Sequence, residues 1–243
     1  MSFPERRNYR KRINAGDMVS FHVEVKETDL WVSADINLEK ETRDLVFDLR
    51  QQLEEHIRSH PEFVTSLVSL QEDPYAPPLV REMIEVTKEL GVGPMACVAG
   101  AIAQHVAVGL LKFTDQVIVE NGGDIFLQAN RSITVSILAG SSLLSGRFGL
   151  LIPAKQMPLG VCSSSATVGH SLSMGIADVV CLVSSSAALA DGAATAVGNQ
   201  IKRKDDLETV SGVANKIEGI VGGVVIVGDK MATWGDIELV DTT

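Results

Sequence analysis

Two adjacent glycines, Gly122 and Gly123, stand between two short apolar runs, Gln116 to Glu120 and Asp124 to Ala129. An Asn-Gly pair in that setting closes a tight β-hairpin, because glycine reaches positive φ without a steric penalty. The chain therefore pairs antiparallel strands near its middle. A second hairpin is written further upstream. Val19, Phe21, Val23 and Val25 alternate with polar residues, and so do Leu30, Val32, Ala34 and Ile36, with Lys26 to Asp29 as the turn.

Helices interrupt these strands irregularly. Asn37 can cap a helix whose Leu38, Thr42, Leu45, Val46, Leu49, Leu53 and Ile57 recur every three or four residues up to His60, where Pro61 stops it. Leu79 to Leu90 predicts a second helix, and Gly93-Pro94 opens a third that runs towards Phe113. Further strands are expected at Ile133 to Ile137, Phe148 to Ile152, Asp178 to Val183, Val221 to Val227 and Ile237 to Val240. Helices are expected at Ser186 to Lys204 and from Asp205 or Asp206 to about Gly219. This order argues for an α+β fold, not a doubly wound sheet. No linker or repeat divides the chain, so residues 1–243 read as a single domain, with residues 1–16 a basic N-terminal arm carrying Arg6, Arg7, Arg10, Lys11 and Arg12.

Charge and composition exclude several classes. A net charge of −10 repels phosphate backbones, which disfavours nucleic acid as a partner. No apolar run is long enough to span a bilayer, and Met1 to Glu5 lacks the apolar core of a secretory signal. Three cysteines, Cys97, Cys162 and Cys181, lie in apolar surroundings and suit a reducing cytoplasm.

Three segments carry chemistry. In the first, Asn121, Gly122, Gly123 and Asp124 bring peptide N–H groups, an amide and a carboxylate to one turn. An ordinary hairpin turn is the alternative. The second, Gly160 to Ser171, carries Cys162, Ser163, Ser164, Ser165, Thr167, His170 and Ser171, a set of donors for phosphate or carboxylate oxygens. Cys162 or a serine with His170 as base is also open there, although the Gly-x-Ser-x-Gly elbow is absent. A polar loop without a ligand is the third option. In the last segment, Asp191 and Thr195 are four apart on an expected helix and share a face, which suits a hard cation such as Mg²⁺. The bland alternative is a first-turn Asp and a packed Thr.

These segments, together with Gly91-Val92-Gly93-Pro94-Met95-Ala96 and Gly198-Asn199, resemble the ApbE superfamily and, more closely, its compact ApbE-like branch. The resemblance runs from about Thr28 to Asn199. It implies the ApbE-like fold, with antiparallel or mixed sheets packed with helices. The superfamily's transferases move FMN from FAD to a Thr of a client protein, using Mg²⁺. By that likeness Asn121 to Asp124 match a flavin-site segment, Ala190, Asp191 and Thr195 match an Mg²⁺-binding helix, and His170 with Asp191 would be catalytic. The implied cofactors are Mg²⁺ and FAD or FMN. The implied partners are a small-molecule ligand and a client protein; separately from the likeness, the Ala/Gly-rich helix and the last hairpin suit association with a second copy of the chain. The sequence departs from the transferases after His170, where Ser171, Leu172, Ser173, Met174 and Gly175 replace an Asp-Pro-x-Thr-Gly continuation, and their N-terminal Met-Gly-Thr segment is not found. That departure motivates an alternative, a non-catalytic accessory or binding protein in sulfur or redox-cofactor metabolism.

Overall fold

A computed structural model describes residues 16–166 and 174–242. All but one of residues 1–16, and with them the basic arm, fall outside that range, as do Thr167, His170 and Ser171. The first hairpin pairs β1 (Val19–Val25) with β2 (Thr28–Ala34) in unbroken register, so its turn is shorter than expected: Lys26 and Glu27 alone make it, Lys26 at φ 55°. α1 (Glu39–Ser59) then buries Thr42, Val46, Leu49 and Leu53, a single helical stripe. Asn37 Oδ1 accepts the Glu39 N–H at 2.9 Å, as its place before the helix suggests. Past Pro61 comes the single-turn α2 (Glu62–Thr65). α3 (Pro78–Leu90) ends at Gly91, whose φ of 68° stops the helix. Pro94–Cys97 forms a 3₁₀ turn before α4 (Val98–Leu110). The small residues Gly100, Ala101, Ala103 and Ala107 of α4 are buried within the chain.

Eight strands form one antiparallel sheet in the order β1-β2-β3-β4-β7-β8-β9-β10. Its later strands are β3 (Val117–Asn121), β4 (Asp124–Gln128), β7 (Leu159–Ser164), β8 (Val179–Ser184), β9 (Ile220–Val227) and β10 (Lys230–Gly235). A second sheet has the order β11-β6-β5, from β5 (Ile133–Ser136), β6 (Phe148–Ile152) and β11 (Glu238–Asp241). Between β8 and β9 run α5 (Ala187–Gln200) and the short α6 (Val210–Ala214).

Strand alternation splits the interior into two cores. Val119, Phe126, Cys162, Leu182 and Val225 point from the large sheet towards the helices. Ile118, Leu127, Val161, Val183 and Ile226 point the other way, onto Val135, Leu150 and Ile152 of the small sheet. The chain is thus helices on sheet on sheet, an α+β fold as expected. Among the described residues no single helix is long and apolar enough to cross a membrane.

Three expectations need correction. Gly160 to Ser164 is not loop but β7, a strand in the middle of the large sheet; its small and hydroxyl residues conceal a strand whose Val161 and Cys162 each enter a core. β10 was not anticipated, because only Trp234 of its residues is buried. The helix expected to reach Gly219 is only a 3₁₀ turn, Lys204–Glu208, followed by the five-residue α6, and α5 stops at Gln200 instead of Lys204.

Candidate functional site

The β3–β4 hairpin places the first segment. Asn121 and Asp124 are directly paired across it. Gly122 and Gly123 take φ of 67° and 114°, which the two-residue turn requires. A Cβ at either glycine would meet nothing within 4 Å, so the turn is open on its outer side. Alternation points Asn121 and Asp124 towards the helices, along with Val119 and Phe126. There Asn121 Nδ2 donates to the Ala99 carbonyl at the start of α4, at 3.1 Å.

β7 lies beside β4 and extends the same surface. Cys162 and Ser164 face the helices, whereas Ser163 turns its side chain to the opposite core, beside Cys181. Ser163 still contributes through its backbone: its N–H donates to Asp124 Oδ1 at 3.1 Å. Ser165 follows the end of β7. Thr167, His170 and Ser171 are among the residues not described.

α5 supplies the other half. It is buried nearly all round, which its Ala-rich sequence permits. Ser186 caps it by accepting the Leu189 N–H, so Asp191 sits in the helix body and not in the first turn. Asp191 serves a different helix: its Oδ2 accepts the Gly100 N–H at 2.9 Å at the N-terminus of α4. One turn on, Thr195 Oγ1 lies 3.5 Å from Ser164 Oγ, a long contact between two buried hydroxyls. Asn121, Asp124, Ser164, Asp191 and Thr195 are each less than a tenth exposed.

Burial sets the electrostatics. Loss of water pushes the Asp124 carboxyl up to about 7; the Ser163 N–H opposes the shift and the negative charge of Glu120 adds to it. Asp191 is held well above the usual carboxylate range, by burial first and then by the charge of Asp124, against the pull of the Gly100 and Ala99 N–H groups. Burial, reinforced by Asp124 and Asp191, also raises the Cys162 thiol, which donates to the Ala187 carbonyl at 3.3 Å. A buried thiol with a raised pKa is a poor nucleophile. The arrangement is a set of hard oxygen donors (two carboxyl groups, two hydroxyls and an amide) in a dry place, where burial favours the neutral form of both carboxyls. Such a set fits a hard divalent cation.

The comparisons with known proteins bear on this geometry. A family profile described as AbpE bacteria matches residues 10–219. The chain belongs to that family. Relatives of this AbpE member include the UPF0280 protein of Methanocella arvoryzae, 40% identical over 216 residues that cover 87% of this chain and 86% of the relative. The UPF0280 protein of Methanocaldococcus jannaschii is 38% identical over 225 residues, covering 90% and 91%. Among solved structures, the apo flavinyl transferase ApbE of Pseudomonas stutzeri aligns with a TM-score of 0.59 at 14% identity, covering 89% of this chain and 93% of that one. The ApbE protein of Thermotoga maritima aligns at 0.59 with 11% identity, covering 88% and 96%. At such low identity these neighbours establish the fold alone, which is ApbE-like.

Sequence reasoning missed three contributors to the cluster in this AbpE family chain. Gly100 lets α4 and α5 touch; a Cβ there would lie 2.4 Å from the Ala187 carbonyl and 2.8 Å from Asp191 Cβ. A glycine inside a helical pattern was the available signal. Ala99 offers a carbonyl and gave no signal. Glu120 is fully buried beneath the twin-glycine turn and accepts the Gly123 N–H at 2.9 Å. A carboxylate within an apolar strand could have marked it.

Proposed function

We propose that this chain binds Mg²⁺ together with a flavin, nucleotide or other phosphate- or carboxylate-bearing small molecule at the Asn121–Asp124–Ser164–Asp191–Thr195 cluster, and acts as an Mg²⁺-dependent transferase. One observation carries the reading. Two carboxyl groups from separate parts of the chain, Asp124 and Asp191, are buried together, burial opposes the ionisation of each, and the charge of Asp124 further opposes that of Asp191. A divalent cation between a carboxylate-lined wall and an anionic ligand relieves that opposition. Asp191 and Thr195 would hold it, and Asp124 would add charge from the facing strand. Bound there, Mg²⁺ supplies Lewis-acid stabilisation of charge on phosphoryl oxygens.

The chain's own groups do the rest. The open Gly122–Gly123 turn lets a planar ligand approach the backbone closely. Ser164 offers a hydroxyl to the ligand's anionic end, and burial excludes water from the exchange. Cys162 stays protonated and plays no covalent part.

Isothermal titration of the purified protein with FAD or FMN, with and without MgCl₂, tests the proposal. Flavin binding should require Mg²⁺ and should be lost in Asp191→Asn, whose amide oxygen can still accept the Gly100 N–H and preserve the fold. Equal flavin affinity with Mg²⁺ and with chelator would remove the metal. FMN transfer from FAD to a client protein is the further assay for the catalytic step.

A second reading has its own support. Asn121, Asp124 and Asp191 each already bind a backbone group, in α4 or β7. The cluster would then fasten the sheet to the helices in a non-catalytic accessory protein. In that case Mg²⁺ leaves the melting temperature unchanged.

A further inference from the structure

The β1–β2 hairpin carries a second donor cluster, on the face of the large sheet turned away from the helices. Phe21 and Val23 enter the helix-side core, so His22 and Glu24 point to the other side. The register sets Asp29 directly opposite Glu24 and Trp31 opposite His22. His22 Nε2 lies 2.9 Å from Asp29 Oδ1, and one ligand atom from each of His22, Glu24 and Asp29 lies within 4.8 Å of the others. The His22 side chain is 43% exposed and that of Asp29 13%. The imidazole thus reaches solvent, whereas the Asp29 carboxylate is largely covered.

Two carboxylates placed directly opposite each other across an antiparallel pair repel, and the hairpin forms in spite of this. An imidazole beside them changes the chemistry of the set. Carboxylates alone favour Mg²⁺ or Ca²⁺, whereas one imidazole with two carboxylates suits Zn²⁺ and its neighbours in the first transition row. Zinc–ligand bonds of about 2.0–2.2 Å in a tetrahedral array separate the donors by roughly 3.4 Å. His22 and Asp29 need move only a few tenths of an ångström to admit the ion, which replaces the proton on their shared contact. The flanking strand holds the donors in place, since β2 is paired on both sides, to β1 and to β3.

We propose that His22, Glu24 and Asp29 form a surface site for a divalent transition-metal ion of the Zn²⁺ class, distinct from the Asp191–Thr195 cluster. Three protein ligands leave at least one position open to water or to a donor from another molecule. The ion ties β1 to β2 at the sheet edge, next to Leu30, the residue paired with Asn121.

The chelator-stripped full chain is titrated with ZnCl₂ by calorimetry, and the Co²⁺-loaded protein is read by its visible absorption. One Zn²⁺ per chain should bind here, with retention in Asp191→Asn. His22→Ala and Glu24→Gln should each weaken it at least tenfold and alter the Co²⁺ spectrum. Both positions are exposed, and apo melts of the two variants matching the parent will show that folding is intact. The His56 and His60 rings, stacked 4.3 Å apart at the end of α1, are the competing donors. Zinc affinity that survives His22→Ala and Glu24→Gln, or falls instead in His60→Ala, overturns the assignment.

Discussion

Asp124 links the pH of the medium to the stability of the protein. An unfolded aspartate titrates near 3.9, whereas in the fold burial lifts Asp124 to about 7. Between those values the native state keeps a proton that the unfolded chain has lost. Stability therefore falls as pH rises through that interval and levels off above the folded value. Asp191 is shifted the same way. In chelator, the melting temperature should drop from about pH 5 to pH 8, and Asp124→Asn should flatten the slope while keeping an acceptor for the Ser163 N–H. An unchanged slope in that variant would show that Asp124 is already ionised in the fold. Added Mg²⁺ should raise the melting temperature at pH 8 and have little effect at pH 5, because the cation binds only the ionised carboxylates.

The meeting of α4 and α5 depends on one missing side chain. Gly100 allows the α4 terminus to reach the Asp191 carboxylate, and the atoms a Cβ would strike are backbone and Cβ atoms that cannot rotate away. Gly100→Ala should cost about 2–3 kcal/mol, or roughly 4–12 °C of melting temperature, despite alanine's higher helix propensity. A gain in stability would mean that the two helices leave room for a methyl group between them. The twin-glycine turn obeys a different rule. Space is open around both glycines, but their positive φ values are not, so Gly123→Ala should distort the Asn121–Asp124 pairing and weaken ligand binding more than it lowers the melting temperature.

The two cores divide the labour of the whole molecule. The helix-side core supports the cluster, and the sheet-to-sheet core supports only the back of the strands. Leu150 is fully buried in the second core, on the small sheet. Leu150→Ala should cost about 2–5 kcal/mol yet leave Mg²⁺-linked binding intact at temperatures where the variant is folded. Urea denaturation followed by titration of the folded variant checks both halves. Loss of binding in the folded variant would mean that the small sheet helps to shape the cluster.

Local pattern was enough for the elements whose neighbours in sequence are also their neighbours in space. Both hairpins, the stripe of α1, the α3 stop at Gly91 and the identity of the Asn-Gly-Gly-Asp turn follow from alternation, spacing and glycine's backbone freedom. β7 was hidden because its partners, β4 and β8, come from elsewhere in the chain, and β10 because only its Trp234 is buried, although it pairs with the strand just before it. A strand of Gly, Cys and Ser is stabilised by ladders on both sides, which no window of sequence contains. The cluster divides in the same way. Asn121, Asp124, Asp191 and Thr195 were legible as residue types in suggestive positions. Asp191's service to α4, the burial that raises both carboxyls and the contribution of Gly100 arise only when segments about seventy to ninety residues apart close on one another. Desolvation and charge–charge opposition act through space, so the folded arrangement alone decides them.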